Sequence, residues 1–194
     1  MPDVMISEIL HRSAQVKNQM ISVCSGPAEK AAQMIAASMR KGGKLMLCGN
    51  GGSAGDSQHL AAEFVATLDH TKPRPSLPAL ALTTDTSFLT AYANDFGFEG
   101  VFARQVEALG QQGDVLLGIS TSGNSKNVLA AAKAAQERQI SFIALTGETG
   151  GRMVDSADLV IAVPSRITMH IQECHIALGH AITARVEVLL SKQK

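Results

Sequence analysis

The sequence contains no tryptophan, one tyrosine and six phenylalanines among its 194 residues. So few aromatic rings argue against a surface on which nucleic-acid bases stack. Seventeen lysines and arginines balance 17 aspartates and glutamates, so the formal net charge is zero. A neutral chain lacks the general electrostatic attraction to nucleic acid or to an anionic membrane. We therefore expect neither of these two partners.

Cysteines and long apolar runs are also scarce. Cys24, Cys48 and Cys174 are odd in number and widely spaced, which argues against a disulfide framework. No stretch approaches the ~18 uninterrupted apolar residues typical of a membrane-spanning helix. The first residues, MPDVMISEIL, also lack the pattern of a signal peptide. The expectation is a soluble cytoplasmic protein whose cysteines are inert.

The composition is 45% hydrophobic and 18% charged, which is typical of one globular domain over residues 1–194. After residue 43, short apolar runs alternate with helical stretches, the pattern of a parallel sheet covered by helices on both faces. The predicted strands lie at 44–48, 79–82, 114–119, 140–145 and 159–163. The predicted fold is therefore α/β, with a doubly wound five-stranded parallel sheet flanked by helices.

Residues 1–40 predict an N-terminal helical hairpin. Apolar residues recur at helical spacing up to Val23, the segment Ser25-Gly26-Pro27 interrupts them, and Pro27 suits the first turn of a second helix. The hairpin precedes the first strand, so the sheet does not need it for a crossover. We expect its apolar stripes to contact another subunit, and packing on its own sheet is the alternative.

Two loops at predicted strand ends are suited to binding phosphate. The segment 49–53 is GNGGS, and the segment 120–125 is STSGNS. Each offers backbone N–H groups or hydroxyls at the start of a helix, and ligands of parallel sheets lie at these strand ends. Capped turns are the alternative interpretation of either loop alone. Neither loop is a nucleotide-binding motif, so the phosphate is expected on a small metabolite.

Polar residues on two predicted helices are candidates for chemistry. His59 and Glu63 lie four residues apart on one helix face, which suits either a shared metal or a base held by a partner. Gln172 and His180 lie on the last helix, about 12 Å apart along its axis. A solvated surface pair is the plain alternative for His59 and Glu63. His175 is interpreted either as a structural residue or as one that supports the site from behind, whereas His170 is expected on the surface.

Asn94 and Asp95 precede Phe96-Gly97 in the sequence. They suit either contact with the hydroxyls of a sugar or a simple turn at the end of a helix. Just upstream, Asp85 is predicted to cap the start of that helix.

Six segments together resemble the sugar isomerase (SIS) domain family, and within it the phosphoheptose isomerases. They are CGNGGS (48–53), LTTDT (82–86), NDFG (94–97), GDVLLGISTSGNS (113–125), ALTG (144–147) and IQE (171–173). The resemblance implies a flavodoxin-like three-layer fold and a cytoplasmic homotetramer. It also implies conversion of sedoheptulose 7-phosphate to D-glycero-D-manno-heptose 7-phosphate, the first step towards the heptose of lipopolysaccharide core.

The resemblance further implies roles for individual residues. Glu63 and His180 match the acid/base pair, and the zinc ligands of the family match His59, Glu63, Gln172 and His180. One Zn²⁺ per subunit is therefore expected. Positions that match substrate contacts are Asn50, Gly51, Gly52, Ser53, Glu63, Asn94, Asp95, Ser120, Thr121, Ser122, Ser125 and Gln172.

Two departures from the family pattern keep other functions open. Thr67 and His170 stand where the family usually has cations, and Lys72, Arg74 and Arg166 lie nearby in the sequence as candidates to replace them. An isomerase of another phosphosugar is therefore one alternative. The other is a non-catalytic SIS scaffold like the DnaA initiator-associating protein, which the presence of both Glu63 and His180 disfavours.

Overall fold

The computed structural model of the protein describes residues 5–191. Its core is a parallel sheet of five strands in the order β2-β1-β3-β4-β5. The strands are β1 Leu45–Gly49, β2 Ala79–Ala81, β3 Val115–Ser120, β4 Ser141–Thr146 and β5 Leu159–Ala162. This order confirms the predicted doubly wound sheet, and the strand bounds agree with the sequence to within one residue.

Six α-helices cover the two faces of the sheet. They are α1 Ile6–Arg40, α2 Gly52–Val65, α3 Thr86–Phe96, α4 Val101–Leu109, α5 Lys126–Glu137 and α6 Thr168–Ser191. Two short 3₁₀ turns lie at Phe98–Gly100 and Gly151–Asp155. None of the helices within residues 5–191 is long and apolar enough to cross a membrane.

The central strands β1, β3 and β4 bury both of their faces and the edge strands β2 and β5 do so in part, so each strand contributes to two cores. In β1, Leu45 and Leu47 join the core beneath α1, α2 and α6, whereas Met46 and Cys48 join the core beneath α4 and α5. Successive side chains of a strand point to opposite faces, which produces this division. The continuous apolar runs of the sequence therefore correspond to strands that are buried on both sides.

The predicted N-terminal hairpin is wrong, because residues 6–40 form one helix of 35 residues with Pro27 in its interior. Proline removes one backbone hydrogen bond and costs about 3 kcal/mol in a helix interior. Packing along α6 holds the helix on both sides of it. Lys17 pairs with Glu173 before the proline, and Glu29 pairs with Arg185 after it. Tertiary contacts thus override the local signal for a break.

The three cysteines are free and buried, as expected. Burial raises the pKa of the Cys24 thiol to about 11 and that of the Cys48 thiol to about 12. Thiols with such pKa values hold almost no thiolate at neutral pH, and the thiolate is the reactive form.

From β1 the chain adds β2 on one side, and it then returns to add β3, β4 and β5 on the other side of β1. The neighbouring strands β1 and β3 therefore flank the point at which the strand order reverses. In open α/β sheets ligands bind beyond the carboxyl ends of the strands at such a point. The loops that follow these two strands are the ones the sequence predicts to bind phosphate, so the fold places both beside one crevice.

Candidate active site

The loop after β1 leads directly into α2 and meets α6. Gly51 has a left-handed φ of 55°, which glycine adopts without strain. A Cβ on Gly52 would overlap the side-chain amide of Gln172, so this glycine lets α6 approach the loop closely. The structure therefore brings together Gly52 and Gln172, two residues that the sequence predicts for the same site.

Asn50, from the same loop, joins the two phosphate-loop candidates to each other. Its side-chain amide donates to Asn127 Oδ1 at 2.9 Å, and the amide of Asn127 donates back at 2.8 Å. Asn127 is 4% exposed and lies in the first turn of α5. Sequence reasoning missed Asn127, because its partner lies 77 positions away along the chain.

The loop after β3 gathers hydroxyl groups at the start of α5. The Ser120 hydroxyl lies 2.9 Å from Ser125 Oγ and 3.4 Å from Ser122 Oγ. Gly123 has a φ of 66°, and any side chain there would overlap the carbonyl of Gly150. The loop therefore presents several neutral donors beside a helix N-terminus, the arrangement that suits a phosphate group.

His59, Glu63 and His180 converge from α2 and α6, although His180 lies 121 positions from His59. His59 Nε2 lies 2.8 Å from His180 Nε2 and 3.4 Å from Glu63 Oε1. The ligand-capable atoms of the three side chains all lie within 4.8 Å of one another. Two imidazole nitrogens and a carboxylate oxygen are a donor set that zinc accepts.

Asp56 is a further titratable residue near this group, and sequence reasoning missed it. Burial raises the pKa of its carboxyl group, and the nearby His59 and His180 oppose that rise. Asp56 precedes His59 by three residues and Glu63 by seven, so all three share one face of α2. The spacing of Asp56, His59 and Glu63 in the sequence could therefore have identified Asp56 as a neighbour of the site.

Asn94 and Asp95 lie in the last turn of α3 and are exposed. The Asn94 side-chain amide donates to Asp95 Oδ1 at 2.8 Å. At the other end of α3, Asp85 accepts a hydrogen bond from the Phe88 N–H, which confirms the predicted cap. The helix-end interpretation of Asn94 and Asp95 thus describes their local structure, and their contact with a sugar stays a prediction.

Two histidines of α6 are fully buried. His175 Nε2 lies 3.0 Å from the carbonyl oxygen of Thr146, and burial lowers the pKa of the His175 imidazole to about 4. This buried contact with the main chain agrees with the structural interpretation of His175. The surface location expected for His170 is wrong: it is 1% exposed, and neither ring nitrogen has a hydrogen-bond partner within residues 5–191.

The cations that the sequence offered as replacements at Thr67 and His170 are all paired with carboxylates. Lys72 lies 3.0 Å from Asp69, and Arg74 lies 2.7 Å from Glu187. Arg166 lies 2.7 Å from Glu148. Arg166 and Glu148 line a cavity of about 320 Å³. The other residues that line it are Thr121, Ser122, Asn124, Thr149, Ser165, Thr168 and Ile171. Of these three cations, Arg166 is the one that lies beside the hydroxyl loop.

Two donor loops follow the neighbouring strands β1 and β3, and a His/Glu/His group lies on α2 and α6, the two helices that meet at the first loop. This combination defines a class of protein that handles sugar phosphates. The SIS domain family matches residues 9–147 of the chain, in agreement with that class. The match includes both loops and two of the three members of the candidate group, His59 and Glu63 of α2.

Comparison with individual proteins narrows the class. The chain is 49% identical over 184 residues to a phosphoheptose isomerase of Roseiflexus, covering 95% of this chain and 92% of that protein. It is 54% identical over 164 residues to a phosphoheptose isomerase of Rhodospirillum rubrum, covering 84% and 86%. The solved phosphoheptose isomerase of Neisseria gonorrhoeae superposes with a TM-score of 0.89 at 44% identity, covering 94% and 97%. The chain belongs to the phosphoheptose isomerase family of SIS domain proteins.

Proposed function

We propose that the protein is an aldose–ketose isomerase that converts sedoheptulose 7-phosphate to D-glycero-D-manno-heptose 7-phosphate. The observation that carries this proposal is the convergence of His59, Glu63 and His180 on α2 and α6, the two helices that meet at the 49–53 loop. A carboxylate and an imidazole side by side are the groups that a proton shuttle between adjacent carbons and oxygens requires. The names of the similar proteins supply the seven-carbon substrate.

The phosphate end of the sugar is assigned to the loop after β3. Ser120, Thr121, Ser122 and Ser125 are neutral donors at the amino end of α5, where the helix dipole favours an anion. Ser53 and the glycines of the 49–53 loop would line the sugar chain between the two ends. Asn94, Asp95 and Gln172 complete the proposed substrate contacts.

Glu63 is assigned as the base at carbon. Its carboxylate would remove a proton from C1 of the ketose, and the electron pair would form the C1–C2 double bond of an enediol while O2 gains a proton. Return of a proton to C2 and loss of the proton on O1 would give the aldehyde of the aldose. Protons balance across the reaction, and His180 would exchange those on the oxygens.

His59, Glu63 and His180 also fit a zinc ion by donor type, and Gln172 is the proposed fourth ligand. When bound, zinc supplies Lewis-acid polarisation of the sugar oxygens. His59 would hold Glu63 and His180 in place from α2, because its Nε2 lies within 3.4 Å of Glu63 Oε1 and 2.8 Å of His180 Nε2.

The direct test is proton NMR of purified protein incubated with sedoheptulose 7-phosphate, with and without a zinc chelator. The expected result is a new aldoheptose signal that the chelator abolishes. Turnover that resists the chelator would contradict the zinc assignment alone. Absence of product in zinc-supplemented buffer would contradict the isomerase proposal, and the buried His170 and Thr67 would then direct the search to other phosphosugars.

We also propose a homotetramer in which α1 and α6 contact another subunit. Large apolar side chains of α1 face solvent, among them Ile6 at 77% exposure and Ile21 at 65%. Ile21 also lines a cavity of about 410 Å³ between α1 and α6. Exposed apolar area of this kind is typical of subunit contacts. Light scattering at micromolar concentration tests this, and a monomer would contradict it.

The proposed cellular role follows from the reaction. The product would supply the heptose of lipopolysaccharide core, and the enzyme would act in the cytoplasm, where free buried cysteines such as Cys24 and Cys48 stay reduced. Deletion of the gene in its host, followed by analysis of the lipopolysaccharide sugars, tests this role. A core with unchanged heptose content would contradict it.

A further inference from the structure

Arg74 joins the ends of the two helices that carry the proposed acid and base. It lies in the segment between α2 and β2, eleven residues after Glu63. We propose that Arg74 is a positioning residue for the Glu63/His180 pair, an inference that rests on the proposed isomerase function. Three observations carry it: its contacts with the end of α2, its contact with α6, and its burial.

The first observation is that Arg74 completes the hydrogen bonding at the end of α2. The last carbonyl groups of a helix have no partner within the helix. Arg74 Nη2 donates to the main-chain carbonyl of Glu63 at 2.7 Å, and Nη1 donates to that of Phe64 at 2.9 Å. The Leu77 N–H donates to the same Phe64 carbonyl at 3.1 Å. The backbone that carries the Glu63 carboxylate is therefore held from outside the helix.

The second observation is that the same guanidinium group is anchored to α6. Arg74 Nε donates to Glu187 Oε1 at 2.7 Å. Glu187 follows His180 by seven residues, or two helical turns, so both residues lie on one face of α6. Glu187 Oε1 also accepts a hydrogen bond from the Leu68 N–H at 3.3 Å. Arg74 thus fixes the spacing between the α2 backbone at Glu63 and the α6 face of His180.

The third observation is burial. The side chains of Arg74 and Glu187 are 14% and 19% exposed, which makes theirs a more shielded pair than the solvent-exposed Arg166–Glu148 pair. Arginine suits this place because its planar fork donates in several fixed directions, whereas lysine offers a point charge on a flexible stem. Four of the five N–H groups of Arg74 are already used, the fourth by the carbonyl of Pro75. The guanidinium group of Arg74 therefore binds groups of the protein itself, which leaves one N–H for any phosphate.

This arrangement predicts a specific kinetic signature. Because Arg74 contacts the main chain of Glu63, it sets the place of the carboxylate without touching the reacting atoms. A displacement of about 1 Å at a catalytic group can lower the rate about 100-fold. The proposed phosphate contacts lie on the other loop, at Ser120–Ser125, and would be unaffected. Loss of Arg74 should therefore lower kcat and leave KM nearly unchanged.

The experiment compares Arg74→Lys with Arg138→Lys as a matched control. Arg138 also donates to a main-chain carbonyl near the end of a helix, that of Glu107 in α4, a helix without proposed site residues. Both variants are assayed with sedoheptulose 7-phosphate after circular dichroism has fixed the folded fraction. We expect kcat of Arg74→Lys to fall at least tenfold with KM within twofold, and both constants of Arg138→Lys to stay within twofold of wild type.

A second variant, Glu187→Gln, tests the same unit from α6. It keeps an oxygen acceptor and removes the charge, so a smaller fall in kcat is expected, and the double variant should be no slower than Arg74→Lys alone. Folded Arg74→Lys with wild-type kcat, a change in KM alone, or additive losses in the double variant would each overturn the inference. An inactive wild-type protein would instead refute the proposed isomerase function on which it rests.

Discussion

The helices on the two faces of the sheet carry different kinds of polar side chain. The layer of α1, α2 and α6 carries titratable side chains of the candidate site and the core, including His59, Glu63, His180 and the fully buried His175. Opposite it, α4 and α5 bury small apolar residues such as Ala131 and the neutral amides of Gln105 and Asn127.

The difference separates two tasks across one sheet. In the proposed function the first layer supplies groups that gain and lose protons, whereas the loop entering the second layer supplies neutral donors that hold a phosphate at any pH near neutrality. A substrate would lie across the carboxyl edge between them. Substitutions on the two sides should therefore change different kinetic constants, and pH should act on the first layer.

The largest effect is expected for Glu63→Gln. The amide cannot accept the carbon proton, so kcat should fall about 10³-fold, which corresponds to about 4 kcal/mol of transition-state stabilisation. Glutamine has nearly the same shape, so the melting temperature should stay close to that of wild type. The measurement is steady-state turnover with sedoheptulose 7-phosphate, together with thermal unfolding.

Glu137→Gln is the matched control for this variant. Glu137 ends α5 in the second layer and its side chain is 64% exposed. Its kcat should equal that of wild type. Wild-type turnover by Glu63→Gln would remove Glu63 from the role of base and with it the proposed division between the layers.

The sequence was sufficient to predict most of the fold. All five strands followed from short apolar runs, four of which end at a glycine, serine or threonine and the fifth at Pro164, because strands covered on both faces leave that pattern in the sequence. The predicted break at Pro27 was wrong because contacts between α1 and α6, such as that of Glu29 with Arg185, hold the helix together across the proline.

The candidate site was predictable only in part. His59 and Glu63 lie one turn apart, so their proximity was visible, but His180 joins them from 121 positions away. Arg74 was offered as a replacement for a missing family cation, because its partner Glu187 lies 113 positions away and burial cannot be judged from sequence. Local spacing reveals groups on one element, whereas contacts between elements need the fold.

The second prediction concerns the pH dependence of stability in the first layer. Burial holds the pKa of His175 at about 4, below the 6.5 of an unperturbed histidine. As the pH falls, His175 therefore binds a proton in the unfolded chain before it does so in the folded chain. Its contribution to the free energy of unfolding is fully present above pH 6.5 and is lost as the pH falls towards 4. Between about pH 7.5 and about pH 5 this residue should remove about 2 kcal/mol from the free energy of unfolding.

Urea unfolding of wild type and His175→Gln at these two pH values measures that contribution. Glutamine does not titrate, so the variant should lose about 2 kcal/mol less than wild type on acidification. His70→Gln, at an exposed position, serves as the control and should keep the wild-type dependence. An unchanged pH dependence in His175→Gln would show that other groups in this layer govern its acid stability.

The smallest of these effects is expected in the second layer, for Ser125→Ala. Ser125 precedes α5, but its hydroxyl lies 2.9 Å from Ser120 Oγ and, within residues 5–191, makes no capping hydrogen bond to the helix. The helix should therefore tolerate its loss, whereas a bound phosphate would lose one donor, raising KM roughly tenfold with kcat within about threefold. Ser156→Ala, after the 3₁₀ turn Gly151–Asp155, should leave both constants unchanged. A fall in kcat with unchanged KM would mean that the hydroxyl loop takes part in the chemistry, and the two layers would then not divide the tasks.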